Sequence, residues 1–272
     1  MTASRTMLAP STLGPAPTDQ AAGLRRLFGR RATCFVPLVS NPHVGFGGVL
    51  IDRLVAAFAE AGHATLVVDA AERSPAAAEL TAIDLGQGIE RLGPHLSYLA
   101  ARGLPSRYVD AQGGTASFLD ALADAAPQAQ VMLVHATARD LARLFARRPV
   151  RPIVLACDHP AAVTHAYAGI KLLTQRAGLL AHALLLGAAS HSPRIGRIAQ
   201  HVASCADLYL GAVLSDWAVV DPAADVAEPP DAALRRLARA ALAGVPAADA
   251  HDVPAASAAS AQALRAPYAT VN

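Results

Sequence analysis

Short apolar runs alternate with amphipathic helical patterns along most of this 272-residue chain, and this alternation limits its possible folds more than any other feature. The apolar runs contain little polar alternation, so both faces of each predicted strand should be buried. Buried strands joined by helices are typical of a parallel sheet covered on both sides. We therefore predict one doubly wound α/β domain with a mostly parallel sheet. The predicted strands are 34–39, 65–68, 96–99, 131–134, 152–156, 183–186 and 209–214, and the predicted helices are 49–61, 117–125, 141–146, 161–177, 195–203 and 231–242.

The two ends of the chain differ from this pattern. Residues 1–18 are rich in Pro, Ser, Thr and Gly and should be disordered, and a short capped helix follows at 19–29. Residues 245–272 are mostly Ala, Ser, Pro and Asp without a period, which predicts a flexible tail. The domain itself should span residues 30–244.

Composition excludes several classes of function. The net charge is +2, and the basic residues form pairs and no dense run, so we expect no nucleic-acid partner. Cys34, Cys157 and Cys205 are far apart, which favours reduced thiols in a cytosolic protein. The histidines lack metal-ligand spacing, so no metal site is expected. The longest apolar run, 177–189, is too short to span a bilayer.

A glycine-rich loop separates the first predicted strand from its helix, and the next strand ends in Asp69. This unit resembles the first βαβ of the MinD/ParA class of deviant Walker A ATPases, whose loop reads Ser-Gly-Lys-Gly-Gly-Val-Gly-Lys-Thr. With Ser40 aligned to the first residue of that loop, Asp69 falls on the family's strand-end aspartate without a gap. An ordinary glycine-rich turn before a helix is the alternative. The resemblance implies a residual nucleotide site formed by Val44, Gly45, Phe46, Gly47, Gly48 and Asp69.

The charged residues of that resemblance are missing. The single lysine of the chain, Lys171, lies far from the loop in sequence. Without lysines, a hydroxyl and a Walker B acid, phosphate charge and Mg²⁺ cannot be held together. We expect a degenerate ATPase that is no enzyme and has no cofactor, with ATP and Mg²⁺ relevant only if residual binding survives. The replacements are Pro42 for the signature lysine, Gly47 for the P-loop lysine, Gly48 for the threonine, Ala71 for the second acid and His135 for the Walker B aspartate.

Two further segments narrow the resemblance. Residues 158–173 read DHPAAVTHAYAGIKLL and resemble the DEPTxxTDAYAxIKLL block of FlhG, a MinD-like regulator of flagellar number and placement. Residues 210–216 resemble the family's LGxIPxD, with Leu214 in place of the nucleotide-flanking proline. Gly187 falls near a position where a base-reading asparagine is common. The resemblance implies that the base pocket has also been lost.

The N-terminal segment carries the most specific match. Asp19, Gln20, Ala21, Leu24 and Arg25 fill all five fixed positions of the FlhG motif Asp-Gln-Ala-x-x-Leu-Arg. In that family this helix stimulates FlhF, a GTPase of the signal-recognition-particle type that places flagella. The resemblance implies that Asp19 caps the helix, that Ala21 and Leu24 dock it, and that Gln20 reaches the partner's active site. A capped surface helix without a partner is the alternative.

The last predicted helix, 231–242, has an apolar face opposite Arg235, Arg236 and Arg239. MinD-like proteins bind bilayers through a C-terminal amphipathic helix, so the resemblance implies a membrane-facing role. Packing of the helix on the sheet is the alternative. The residues concerned are Leu234, Arg235, Leu237, Ala238 and Ala241.

Together these resemblances imply an FlhG-like regulator that acts by contact with an FlhF-type GTPase. Flagellar rotor or assembly components are possible further partners. The expected location is cytoplasmic, with a possible peripheral position at the inner membrane or the cell pole. An ATP-binding MinD-like ATPase and a membrane or polar scaffold are the alternatives.

Overall fold

The computed structural model describes residues 33–146, 148–189 and 191–243. Predictions for the disordered segment 1–18, the helix 19–29 and the tail 245–272 lie outside these residues. Three short 3₁₀ helices follow β2 and β4. The strands are β1 Cys34–Val39, β2 Thr65–Asp69, β3 Ile89–Arg91, β4 Leu96–Ala100, β5 Val131–Ala136, β6 Ile153–Cys157, β7 Ala181–Gly187 and β8 Val213–Val220, and the helices are α1 Gly47–Glu60, α2 Ser117–Ala125, α3 Ala138–Leu144, α4 Pro160–Ala177, α5 Ile195–Leu210 and α6 Ala232–Leu242.

The strands form one eight-stranded sheet in the order β3-β4-β2-β5-β1-β6-β7-β8. Every neighbouring pair is parallel except β3 with β4. From β1 the chain moves to β2 on one side of the sheet and later to β6 on the other. The predicted α/β class with a mostly parallel sheet is confirmed.

Helices cover both faces of the sheet, as buried strands require. One face packs against α1 and α6 through residues such as Leu54, Phe58 and Leu237. The other face packs against α2, α3, α4 and α5, where Phe118 and Ile170 are fully buried. Because strands β5 and β6 are apolar on both sides, each supplies residues to both layers.

One predicted strand was misplaced, and one strand at the edge of the sheet was not predicted. The predicted strand 209–214 begins too early, because α5 continues to Leu210 and ends where Gly211 takes a left-handed φ of 62°. Strand β8 then runs from Val213 to Val220. The short edge strand β3 was not predicted, since three residues carry too little periodicity to be recognised.

Helix α6 packs on the domain and buries three of the residues for which a membrane-facing role was predicted. Leu234, Leu237 and Ala238 are at most 2% exposed and join the core cluster beneath α1. Ala241 is partly buried against the same cluster. Asp231 caps the helix by accepting a hydrogen bond of 2.7 Å from the Leu234 N–H.

The polar side of α6 is bound to the domain as well. The Arg235 Nε lies 2.7 Å from the Glu60 carboxylate on α1. The Arg236 guanidinium lies 2.8 Å from Asp216 on β8. Two of the three arginines on this helix therefore already have acidic partners within the chain. None of the helices within the described ranges is both long enough and apolar enough to cross a membrane.

Candidate functional site

A cavity of about 730 Å³ opens at the carboxyl ends of β1, β2 and β5. This edge is where the connections from β1 and β6 leave in opposite directions, and such switch points are where open α/β sheets bind ligands. Four of the loop residues predicted from sequence line the cavity together with Asp69; these are Val44, Gly45, Gly47 and Gly48. The fifth, Phe46, packs elsewhere.

The loop between β1 and α1 is fixed by Asn41, a residue that the sequence did not single out. Its side chain is 93% buried, and its Nδ2 donates hydrogen bonds of 2.9 Å to the carbonyl oxygens of Leu155 and Ala162. Its Oδ1 accepts from the His43 N–H at 3.1 Å. The Arg73 guanidinium donates to the Pro42 carbonyl at 2.9 Å and so joins the β2–β3 segment to this loop. The loop is thus held by the chain itself.

The start of α1 faces the cavity without a side-chain cap or an acidic residue in its first turn. A Cβ atom added at Gly48 would meet nothing within 4 Å, and one added at Gly47 would meet only Leu155 Cδ1 at 4.0 Å. The space for larger side chains at these two positions is therefore still open. Free backbone N–H groups at a helix start favour anions, although weakly when no cation assists them.

The side chains at the ends of β2 and β5 form a hydrogen-bonded cluster around Asp69. Asp69 and His135 are paired in the register of these strands, and His135 Nδ1 lies 2.8 Å from Asp69 Oδ1. The Ser74 hydroxyl donates to the same oxygen, and the Tyr98 hydroxyl donates to Oδ2 at 3.2 Å. Because an ionised carboxylate only accepts, His135 must carry its proton on Nδ1 to complete this bond. Asp69 is thereby engaged by three protein side chains.

Electrostatics stabilise the charged form of Asp69. Burial alone would raise the pKa of Asp69, but hydrogen bonds from His135 and Ser74 hold this pKa below its ordinary value. Burial and the negative charge of Asp69 raise the pKa of Tyr98 to about 12, so Tyr98 stays a neutral donor. The hydrogen bonds that stabilise the Asp69 carboxylate therefore come from the protein itself.

Other ionisable groups lie around the same cavity. Arg73 and Arg139 line it together with Glu72 and Asp140, and Asp140 accepts a hydrogen bond of 2.8 Å from Thr137. Lys171 is exposed on α4 and is not part of the lining. Within the described part of the chain, no group of three or more His, Cys, Asp or Glu residues could hold a metal ion.

Only part of this site could be recognised from the sequence. The sequence indicated the loop, Asp69 and the position of His135, but not the donors Ser74 and Tyr98, which lie 5 and 29 residues from Asp69. Only the chain path through the β2–β3 segment and β4 brings them to Asp69. The motif residues Asp19, Gln20, Ala21, Leu24 and Arg25 lie outside the described residues, and their role remains a prediction.

Comparisons with solved structures identify the fold. The chain is similar to the MinD cell division protein of Aquifex aeolicus, at 12% identity and a TM-score of 0.50 over 75% of this chain and 95% of that one. It is also similar to cobyrinic acid a,c-diamide synthase from Mycobacterium smegmatis with a bound ATP analogue and magnesium, at 17% identity and a TM-score of 0.53 over 77% and 94%. These structural similarities confirm the predicted MinD/ParA-like fold. No family model and no curated protein matches the chain.

Proposed function

We propose that this chain is an FlhG-like regulator of flagellar number or placement that acts through protein contact and does not turn over ATP. One observation carries the second half of this proposal. The Asp69 carboxylate is bound by His135, Ser74 and Tyr98 in a cavity that contains no lysine. The site has the position and the volume for a ligand, but the hydrogen-bonding capacity of Asp69 is already used by protein side chains.

Phosphoryl transfer needs cations on the transferred group and a held metal ion. At the two loop positions where the resemblance expects a lysine and a threonine, Gly47 and Gly48 supply neither charge nor hydroxyl. His135 stands where the Walker B acid is expected, and its Nδ1 faces Asp69 at 2.8 Å. A divalent ion would have to displace protein donors from Asp69 and would gain no second acid from β5. Hydrolysis of ATP is therefore disfavoured, because the loop supplies no cation or hydroxyl and β5 supplies no second acid.

The activity proposed in its place resides in the N-terminal motif. The partner is an FlhF-type GTPase, and Gln20 is the residue proposed to enter its active site and position water or phosphate. Asp19 would cap the helix, while Ala21 and Leu24 would dock it. This assignment rests on the five matching motif positions.

Residual nucleotide binding is the second candidate, and the open start of α1 supports it. Helix α1 has an uncapped N-terminus that lines the cavity, and Arg139 lines the same cavity. Calorimetric titration with ATP and Mg²⁺, and with ATP in EDTA, would measure such binding directly. Binding that requires Mg²⁺ would favour a conventional ATP-dependent regulator. The absence of binding at millimolar ATP would favour a regulator that is independent of nucleotide.

The experiment that tests the main proposal measures GTP turnover by the cognate FlhF-type GTPase alone, with the full chain, and with the Gln20→Ala variant. Gln175→Ala is the matched control, because Gln175 is exposed on α4. We expect the full chain and the control to stimulate turnover equally and Gln20→Ala to lose the stimulation. A non-hydrolysable ATP analogue should leave the result unchanged. Equal stimulation by all three proteins, or none by any, would contradict the proposal.

The proposed location and further partners follow from the same function. Contact with rotor or assembly components would bring the protein to the inner membrane or the cell pole. Because the apolar face of α6 is buried, we propose that any peripheral position depends on protein partners rather than on insertion of this helix. Vesicle sedimentation with the purified chain would test this directly, since no binding to anionic vesicles is expected.

A further inference from the structure

The ligand crevice of this sheet is only half open. The cavity is lined by residues from β2, β5 and β6, from the segments that follow β1, β2 and β5, and from the middle of α4. Among the described residues, no residue of β7 or β8 lines it. Since β7 is the second strand from β1 on that side, the crevice would be expected to continue toward its carboxyl end. Another part of the chain therefore fills the space next to the carboxyl end of β7.

Phe46 lies at this boundary. It immediately precedes α1, and its half-buried ring packs against the core cluster beneath that helix. The neighbours Gly45, Gly47 and Gly48 line the cavity, whereas Phe46 does not. The side chain therefore turns away from the open half of the crevice and toward β7.

The ring reaches Gly187, the last residue of β7. A Cβ atom added at Gly187 would lie 2.0 Å from Phe46 Cε2, 2.9 Å from Cζ and 3.0 Å from Cδ2. These distances are far below ordinary van der Waals contact, so any other residue at this position would have to displace the ring. Phe46 and Gly187 fit as a pair, because the edge of the ring at Cε2 approaches the bare backbone at the carboxyl end of a parallel strand.

We infer that Phe46 is an intramolecular plug that occupies, against Gly187, a site shaped for the planar ring of an aromatic ligand. This inference rests on the proposed function, in that it takes the crevice as one that no longer serves nucleotide turnover. The plug adds a steric reason for weak ligand binding to the electrostatic reason. The lost charges weaken binding of phosphate, and the plug fills the space in which a ring would lie.

Removing the ring should uncover this site. An apolar hole left by truncation of an aromatic side chain retains its shape when its walls are rigid, and such holes bind small aromatic molecules. One wall here is the start of α1, and the other is a strand paired with β6 along its length. The hole would lie beside the loop whose residues Gly45 and Gly47 line the existing cavity.

The test uses the full chain and two probes, indole and adenosine, in calorimetric titrations. We expect no binding to the natural chain and binding to Phe46→Ala with a Kd on the order of 1 mM or tighter for at least one probe. Phe46→Leu lacks the outer ring atoms and should bind in the same direction more weakly. Refilling the space in the Phe46→Ala/Gly187→Leu double variant should abolish binding.

Thermal melts of the same variants give a second readout. Gly187→Ala should lower the Tm by roughly 3 °C in the natural background, because its Cβ must displace the ring, and by less than about 1 °C in the Phe46→Ala background. Folded Phe46→Ala and Phe46→Leu variants that bind neither probe more tightly than the natural chain would overturn the inference. Equal Tm losses in both backgrounds would also overturn it. Neither outcome bears on stimulation of the GTPase, so the two proposals fail separately.

Discussion

The loop between β1 and α1 and the paired ends of β2 and β5 face the same cavity, but they differ in what stands at the expected charged positions. In the loop, Gly47 and Gly48 leave open space where larger side chains would fit. At the strand ends, His135 makes a bond of 2.8 Å to Asp69. The two glycines of the loop carry no charge and make no close contacts, whereas the strand ends carry a hydrogen-bonded network. Restoring charge should therefore be nearly free in the loop and costly at the strand ends.

The largest effect is expected for His135→Asp. This change places a second carboxylate against Asp69 at a site where both side chains are less than 20% exposed. We expect a loss of about 3 kcal/mol in the free energy of unfolding at pH 7, measured by urea denaturation. The loss should shrink as pH falls, because protonation of one carboxylate relieves the repulsion. His135→Asn is the control and should lose less, and an equal loss in both variants would show that charge is not the cause.

The second prediction concerns the dependence of stability on pH, to which the buried His182 and the Asp69 cluster contribute in different pH ranges. His182 is fully buried, bonds Thr174 at 3.2 Å, and burial lowers its pKa to about 4 from 6.5. Between pH 6.5 and 4, His182 therefore binds a proton in the unfolded chain but not in the folded chain. The stability that this residue contributes is fully present above pH 6.5 and is lost as the pH falls toward 4. The expected contribution is about 3 kcal/mol.

His182→Leu should flatten the dependence of stability on pH between 6.5 and 4, and His201→Leu, on the exposed face of α5, should leave it unchanged. Urea denaturation at several pH values measures both variants. Below pH 4, the dependence of stability on pH should come from the Asp69 cluster. The pKa of Asp69 is lowered in the folded chain, so the stability that it contributes is lost as the pH falls through that pKa. If the stability of His182→Leu still depended on pH between 6.5 and 4, groups other than His182 would be the cause.

A smaller effect is expected for Ser74→Ala. Ser74 is buried and donates to the ionised Asp69, and a hydrogen bond to a charged group contributes about 1.5 kcal/mol. Ser204→Ala removes an exposed hydroxyl on α5 and should change stability by less than about 0.5 kcal/mol. If the two variants had equal stability, the cluster would contribute less than its geometry indicates.

The smallest effect is expected for Gly47→Lys. A Cβ atom at this position would meet only Leu155 Cδ1 at 4.0 Å, and the gain in helix propensity is offset by a positive charge near the helix N-terminus. We expect a change within about 0.5 kcal/mol in thermal or chemical denaturation. ATP hydrolysis should remain absent, because His135 and Asp69 still form the same bond. A large loss of stability would show that the loop is more tightly packed than the two glycines indicate.

The sequence predicted most of the fold because buried parallel strands and amphipathic helices have clear periods. The helix 117–125 agrees with the structure at both ends, and the strand 34–39 agrees as well. The end of α5 was misplaced because apolar residues such as Tyr209 and Leu210 fit either a helix or a strand, and 209–214 was predicted as a strand. In the structure Leu208 and Tyr209 are largely exposed, so burial did not decide their state.

Residue types and spacing alone show which charged side chains the loop does not carry, since these can be read directly from the sequence. They do not show which contacts the residues of the site make. The bond between His135 and Asp69 depends on the register of β2 with β5, and the contact of Phe46 with Gly187 joins residues 141 positions apart in the chain. Likewise, burial of the apolar face of α6 depends on its docking beside α1. Such contacts arise only when distant segments meet, because side-chain forces act over a few ångströms and take no account of distance along the chain.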